Sequence, residues 1–257
     1  MSDPVLEVRG LRKSFAKDEV DVVAVDGVSF SVAQGECLGI VGESGSGKTT
    51  VVNLAMRLAD VDEGAVLLNG RDITNARGRA LREAYGHMQM VFQQPASSFD
   101  PRRTLGDGIA ESLRTRGASR RVARARAEEL LELVELPTEM YDRYPLQVSG
   151  GQCQRAAIAR ALAVGPDLLV CDEATSALDR AVQGQIIELL ERLREELGMA
   201  LLFICHDIAL VEGMCDRVLV MKAGRVVEEG STSEVLRTPR HAYTKNLLEA
   251  SRWLITG

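Results

Sequence analysis

Gly42-Glu43-Ser44-Gly45-Ser46-Gly47-Lys48-Thr49-Thr50 stands between an apolar run at 37–41, which reads as a strand, and a helix-like run at 49–58. A strand, a glycine-rich bend and a helix N-terminus make a cradle for phosphate. Successive backbone N–H groups converge on oxygens, and the helix dipole favours negative charge there. Lys48 supplies a point charge for the β- and γ-phosphates of a nucleotide, and the Thr49 hydroxyl is suited to ligating Mg²⁺.

Upstream of this stretch, short β-like runs at 6–8, 22–25 and 28–32 are separated by turn signals such as Asp26-Gly27 and Gln34-Gly35. Phe15 lies among them. Its ring is either a face for a base to stack on or a piece of the core. Downstream, 64–68 reads as a strand ending at the Asn69-Gly70 turn, and 88–92 as another that closes on Gln93-Gln94-Pro95. Gln93 is then either a solvated strand end or a neutral carbonyl that completes a Mg²⁺ shell.

Between 104 and 163 the periodicity becomes helical, with Leu130, Leu131, Leu133 and Val134 on one side of a charged segment, which predicts an inserted helical subdomain. Its basic run, Arg114, Arg116, Arg120, Arg121, Arg124 and Arg126, reads as a solvated helix face balanced by Glu128 and Glu129. Val148-Ser149-Gly150-Gly151-Gln152 opens a further helix. Ser149 is a good N-cap and the two glycines leave their amides unobstructed, so this is a second helix start fit to hold an anion. Next, the apolar run 168–171 predicts a strand buried on both faces of a parallel sheet, ending in Asp172-Glu173. Carboxylates at that edge point into a ligand crevice, where Asp172 suits Mg²⁺ and Glu173 suits a base for an attacking water. The strand at 200–205 runs into His206 in the same sense, which would bring the imidazole to that edge as a donor to a γ-phosphate. A hairpin across Ala223-Gly224 and a capping box at Ser231-Thr232-Ser233-Glu234, opening a C-terminal helix, complete the pattern.

The 257 residues are 46% hydrophobic and 26% charged, an ordinary globular composition able to bury a real core. A net charge of −6 argues against a surface built to neutralise nucleic-acid phosphates, so no nucleic-acid partner is expected. Cys37, Cys153, Cys171, Cys205 and Cys215 contain no C-x-x-C pair, which predicts neither a disulfide scaffold nor a zinc site and fits a reducing cytosol. Met1-Ser2-Asp3-Pro4 lacks the charged and apolar regions of a signal peptide, and apolar runs such as 199–205 fall far short of the roughly 20 residues that span a bilayer. Any association with a membrane is expected to pass through a partner.

Taken together and in order, the phosphate loop, Gln93 after Phe92, Ser149-Gly150-Gly151-Gln152, Asp172-Glu173, Ser176-Ala177-Leu178-Asp179 and His206 resemble the ATP-binding subunit of an ATP-binding-cassette (ABC) transporter. The resemblance covers essentially the whole chain. It implies an α/β fold: a P-loop (RecA-like) core with an N-terminal antiparallel β-subdomain, about 1–94 and 165–230, a helical insert at about 95–164, and a helical tail at about 231–257. It implies ATP and Mg²⁺ as ligands. Gly42, Glu43, Ser44, Gly45, Ser46, Gly47, Lys48, Thr49 and Thr50 would hold the phosphates, with Phe15 under the adenine. Thr49, Gln93 and Asp172 would face the metal, Glu173 would be the general base, His206 the γ-phosphate sensor, and Lys48 would stabilise the transferring group. Two cassettes, alike or different, would dimerise head to tail, so that Ser149, Gly150, Gly151 and Gln152 of one close on ATP held by the other and Asp179 lies at their interface. Integral membrane permease subunits and, indirectly, an extracytoplasmic solute-binding protein are the implied partners, at the cytoplasmic face of the membrane.

Within that family, residues 89–95 with 97–102, and the tail Pro239-Arg240-His241-Ala242-Tyr243-Thr244-Lys245-Asn246-Leu247-Leu248, resemble the oligopeptide, dipeptide and nickel importer branch. Val148, Cys153 and Ala242 depart from the branch pattern, and none of them removes a chemical group from the site. The alternative reading is an ABC-type ATPase of a soluble assembly like those of phosphonate degradation, or an ATP-gated scaffold.

Overall fold

The computed structural model describes residues 4–17, 20–205 and 207–256. The chain begins with two long antiparallel strands, β1 (Leu6–Lys17) and β2 (Val20–Val32). Short strands broken at Asp26-Gly27 are predicted here; the pair instead runs through. Leu11 pairs with Val28 and Arg12 with Asp26, so Gly27 is an extra residue, a bulge rather than a turn. An Asp-Gly signal serves either purpose, because a bulge and a hairpin both need irregular backbone.

β3 (Cys37–Val41) leads into α1 (Lys48–Ala55). β4 (Glu63–Leu68) and β5 (Arg71–Asp72) turn at Asn69-Gly70, and α2 (Gly78–Ala84) precedes β6 (Met88–Val91). Then come α3 (Leu105–Thr115), α4 (Arg120–Leu133) and α5 (Gly150–Leu162). β7 (Leu168–Asp172), α6 (Arg180–Leu197), β8 (Ala200–Ile204), α7 (Ile208–Met214), β9 (Arg217–Lys222) and β10 (Arg225–Ser231) follow. The tail forms two helices where one is predicted, α8 (Thr232–Arg237) and α9 (Ala242–Thr256), because Pro239 lies between them.

One sheet has the order β2-β1-β4-β5, all antiparallel; the other runs β10-β9-β3-β8-β7-β6. In the second, β9, β3, β8, β7 and β6 are parallel and only β10 is antiparallel. All five parallel strands therefore end at one edge, which gathers the phosphate loop after β3, Gln93 after β6, Asp172 on β7 and the turn after β9.

The apolar strands alternate between two cores, as a period of two requires. Cys37, Val41, Leu169, Cys171, Leu201 and Phe203 face the helical insert and α6, whereas Leu38, Ile40, Leu168, Val170, Leu202 and Ile204 face α1 and the antiparallel sheet. Each such leucine or phenylalanine, fully buried, contributes roughly 1.5–3 kcal/mol. Two cores on one sheet make that sheet the rigid floor of the strand-end edge.

The basic run behaves as a solvated helix face. Arg114 pairs with Asp107 at 2.9 Å, Arg124 with Glu128 at 2.8 Å and Arg126 with Glu129 at 2.8 Å, all at least partly exposed. Ser149 caps α5 in a full capping box: its hydroxyl accepts the Gln152 N–H at 3.2 Å, and the Gln152 carbonyl accepts the Ser149 N–H at 2.9 Å. The five cysteines are buried thiols.

Candidate functional site

A cavity of about 340 Å³ opens at the strand-end edge. Ser44, Gly45, Gly47, Lys48, Thr49 and Thr50 form its floor, Glu173 one side, and Val22, Val23, Ala24, Ala223 and Gly224 the other. Two glycines of the loop are obligatory. Gly47 has φ +102°, and a Cβ there would lie 2.6 Å from the Ala24 carbonyl oxygen; at Gly42 a Cβ would lie 2.3 Å from the Met221 carbonyl oxygen. The bend thus presses directly on the backbone of β2 and β9, which excludes any side chain. Ser46 and Asp26 clamp the β9–β10 turn from both sides, the Gly224 N–H donating to Ser46 O and the Asp26 N–H to Gly224 O, each at 2.9 Å.

Gly47 is also the N-cap of α1 and brings no side-chain acceptor, so the first-turn amides have neither an intrahelical partner nor a side-chain cap. They and the helix dipole aim at the cavity. Lys48 is 4% exposed, and its ammonium donates to the Gly42 and Glu43 carbonyls, both at 2.8 Å, and to the Ser46 hydroxyl at 3.4 Å. Burial lowers its pKa, opposed by the negative charges of Glu173 and then Asp172. A polyanion entering the cavity therefore meets a cation already stripped of water.

Glu173 follows β7 with φ +50°, a conformation rare for a residue with a side chain. Its N–H donates to Ile204 O at 3.0 Å, and its carbonyl accepts from the Ser176 N–H at 3.1 Å and the Ser176 hydroxyl at 3.0 Å. The strained backbone is held from both ends. Gln93, exposed beyond β6, donates through Nε2 to the Ser176 hydroxyl at 3.2 Å, which turns its carbonyl oxygen to other partners. Among the described residues no three His, Cys, Asp or Glu side chains form a metal cage.

Phe15 is 47% exposed, which removes the core reading. It pairs across the ladder with Val22, a cavity wall, and so stands at the rim on the same sheet face. The Lys13 ammonium lies 5.6 Å from its ring centroid. Residues 149–152 and Asp179 are not among the cavity-lining residues of this single chain. Asp179 caps α6, accepting the Val182 N–H at 3.0 Å. The expectation for His206 falls outside the described residues; Ile204, on the strand before it, pairs with Asp172. Sequence reasoning missed the walls at 22–24 and 223–224 as site residues. They contribute small side chains and backbone, and only the Ala223-Gly224 turn signal pointed to any of them.

The family profile described as ABC transporter matches residues 25–176. The oligopeptide transport ATP-binding protein OppF of Bacillus subtilis is 42% identical over 253 residues, 97% of this chain and 83% of its own length. OppF of Salmonella typhimurium is 45% identical over 229 residues, 88% of this chain and 69% of its own. Among solved structures, the dimeric post-hydrolysis state of the ATP-binding cassette MJ0796 bound to ADP and Pi superposes with a TM-score of 0.81 at 32% identity, covering 88% of this chain and 98% of that one. With the strand-end cavity, the uncapped helix start and these likenesses in hand, the chain belongs to the ABC transporter family, as an ATP-binding and ATP-hydrolysing subunit.

Proposed function

We propose that this subunit powers a peptide importer, working at the cytoplasmic face of the membrane as a head-to-tail dimer with a second cassette, like or unlike itself. Integral membrane permease subunits carry the solute in this reading, supplied by an extracytoplasmic solute-binding protein. Peptide is favoured over a nickel complex because both OppF relatives are named for oligopeptide transport. Among the described residues no helix is long and apolar enough to cross a membrane, so the permease supplies the attachment. The domain assignment is a core at about 1–94 and 165–230, a transmitting insert at about 95–164 and a tail from about 231.

The observation that carries the chemistry is the buried Lys48 ammonium at the floor of a cavity whose side is Glu173. Lys48 and the amides of the phosphate loop bind and orient the β- and γ-phosphates, and Phe15 stacks on the adenine. Glu173 takes the proton of a water aligned with the γ-phosphorus, and His206 donates to a γ-phosphate oxygen. Positioning and preorganised charge do most of the work. The Thr49 hydroxyl, the Asp172 carboxylate and the Gln93 carbonyl are hard oxygen donors that fit Mg²⁺, and too few for a protein-only cage, which suits a cation that shares phosphate and water oxygens. Mg²⁺ held there would neutralise the charge that develops on the transferring phosphoryl group. Ser149, Gly150, Gly151 and Gln152 would close on the partner's ATP, with Asp179 at the seam.

Glu173→Gln tests this reading. The isostere leaves the N–H and carbonyl contacts to Ile204 and Ser176 intact. ATP should bind as before, turnover should fall by about 10²–10⁴-fold, and dimers should accumulate with ATP on size-exclusion chromatography. A variant that hydrolyses ATP at the parent rate removes Glu173 from the mechanism.

A further inference from the structure

The tail at 239–248 has no part in the chemistry above, yet it reaches the phosphate loop. The turn into α9 is fixed by Glu228, whose carboxylate accepts the Arg240 N–H at 2.7 Å and the His241 N–H at 3.1 Å. Tyr243, on the first turn of α9, is 6% exposed. The Lys222 ammonium sits 4.7 Å from its ring centroid, and Lys222 directly precedes the Ala223-Gly224 wall of the cavity. The Tyr243 hydroxyl accepts the backbone N–H of Glu43 at 3.1 Å.

Glu43 N–H and Gly42 C=O are opposite ends of one planar peptide unit. That same carbonyl accepts the Lys48 ammonium at 2.8 Å. Tyr243 hydroxyl, Gly42–Glu43 peptide and Lys48 amine therefore form one unbroken hydrogen-bonded chain, in which each bond polarises the next. Rotation of that peptide plane would break both ends together. The Glu43 N–H, taken by the tyrosine, is not free for phosphate, so the contact acts on the cradle through the Gly42 carbonyl that holds Lys48.

We propose that Tyr243 is a positioning residue for Lys48, and that the C-terminal helix is thereby a working part of the nucleotide site rather than a passive appendage. The proposal rests on the phosphate loop being the ATP site. By linkage, a tail that strengthens ATP binding must itself be held more firmly when ATP is bound.

Tyr243→Phe removes the hydroxyl and keeps the ring against Lys222. Equilibrium titration should show ATP binding weakened about tenfold, the order expected when a part-buried N–H loses its acceptor. In a Lys48→Met background the same substitution should change affinity by less than about twofold, because the two act in series. Hydrogen exchange should show α9 amides protected by ATP in the parent and not in Tyr243→Phe. Equal losses in both backgrounds would mean that the tyrosine acts only through general stability, and would overturn the proposal, as would unchanged affinity or a parent α9 indifferent to ATP. A parent that failed to bind ATP would instead sink the assignment of the site itself.

Discussion

Replacing Lys48 by Met separates the charge of this side chain from its bulk. Lys48 is 4% exposed, and its ammonium donates hydrogen bonds, at 2.8, 2.8 and 3.4 Å, to neutral oxygens. Its desolvation cost is thus met when the chain folds and is not charged again on binding. A phosphate oxygen that replaces or joins those acceptors forms charge-assisted bonds, each worth about 1.5–3 kcal/mol. With one or two of them lost, affinity should fall by about 2–4 kcal/mol, or roughly 30- to 1,000-fold in Kd.

Stability should respond differently. Burial lowers the folded-state pKa of Lys48 below its unfolded value of 10.5, so the charge opposes folding below the folded pKa, and that penalty fades as pH rises toward the unfolded value. Met removes the penalty but leaves the Gly42 and Glu43 carbonyls short of a donor, and these effects oppose each other within about 1–2 kcal/mol. Titration with a fluorescent ATP analogue and urea denaturation of the free protein would give the two numbers. Weak binding with near-parent stability is the expected pair. Parent-like affinity would refute the reasoning, since no other cation among the described cavity-lining residues could take the place of Lys48.

Gly47→Ala forces a Cβ into φ +102° and to 2.6 Å from the Ala24 carbonyl; it should cost about 2–4 kcal/mol of stability on urea denaturation and disturb ATP binding with it. Acid should loosen the tail through Glu228. Burial of its carboxyl works upward, but the Thr244 hydroxyl, the Arg240 and His241 N–H groups and the His241 charge outweigh it, so its pKa lies below 4.5. Its stabilisation is then complete above that value and is lost as pH falls through the folded pKa. Comparing pepsin cleavage within α9 between parent and Glu228→Gln across this window should show an acid-triggered rise in the parent that the variant lacks.

The strands that carry the site were legible because they are buried on both faces. Residues 168–171 and 200–204 are unbroken apolar runs, and a run ending in Asp172-Glu173 announces both a parallel sheet and its functional edge. The antiparallel pair was less so. Its bulge at Gly27 carries the same dipeptide as a hairpin turn, and only pairing, which is non-local, tells them apart. Ser149 shows another limit. Its cap on α5 is local and was readable, whereas the anion expected for it would be held by a second chain. The hydroxyl of Tyr243 was beyond reach for a simpler reason: its partner is 200 residues away, and nothing in either neighbourhood names the other.

The contacts around the cavity also argue about how its state is passed outward. Glu173 sits in a backbone conformation that costs of the order of 1–3 kcal/mol, held by Ile204 on one side and Ser176 on the other. Ser176 is in turn held by Gln93, at the junction between β6 and the helical insert. A shift of the insert that draws Gln93 away would leave the Ser176 hydroxyl with one partner fewer, and so weaken a restraint on a strained residue at the side of the cavity. On the cavity floor, Lys48 is restrained through a peptide that α9 holds. Glu173 and Lys48, which both line the cavity, are thus anchored to different parts of the chain. Because each restraint is worth only about 1 kcal/mol, neither locks the site. Both bias it.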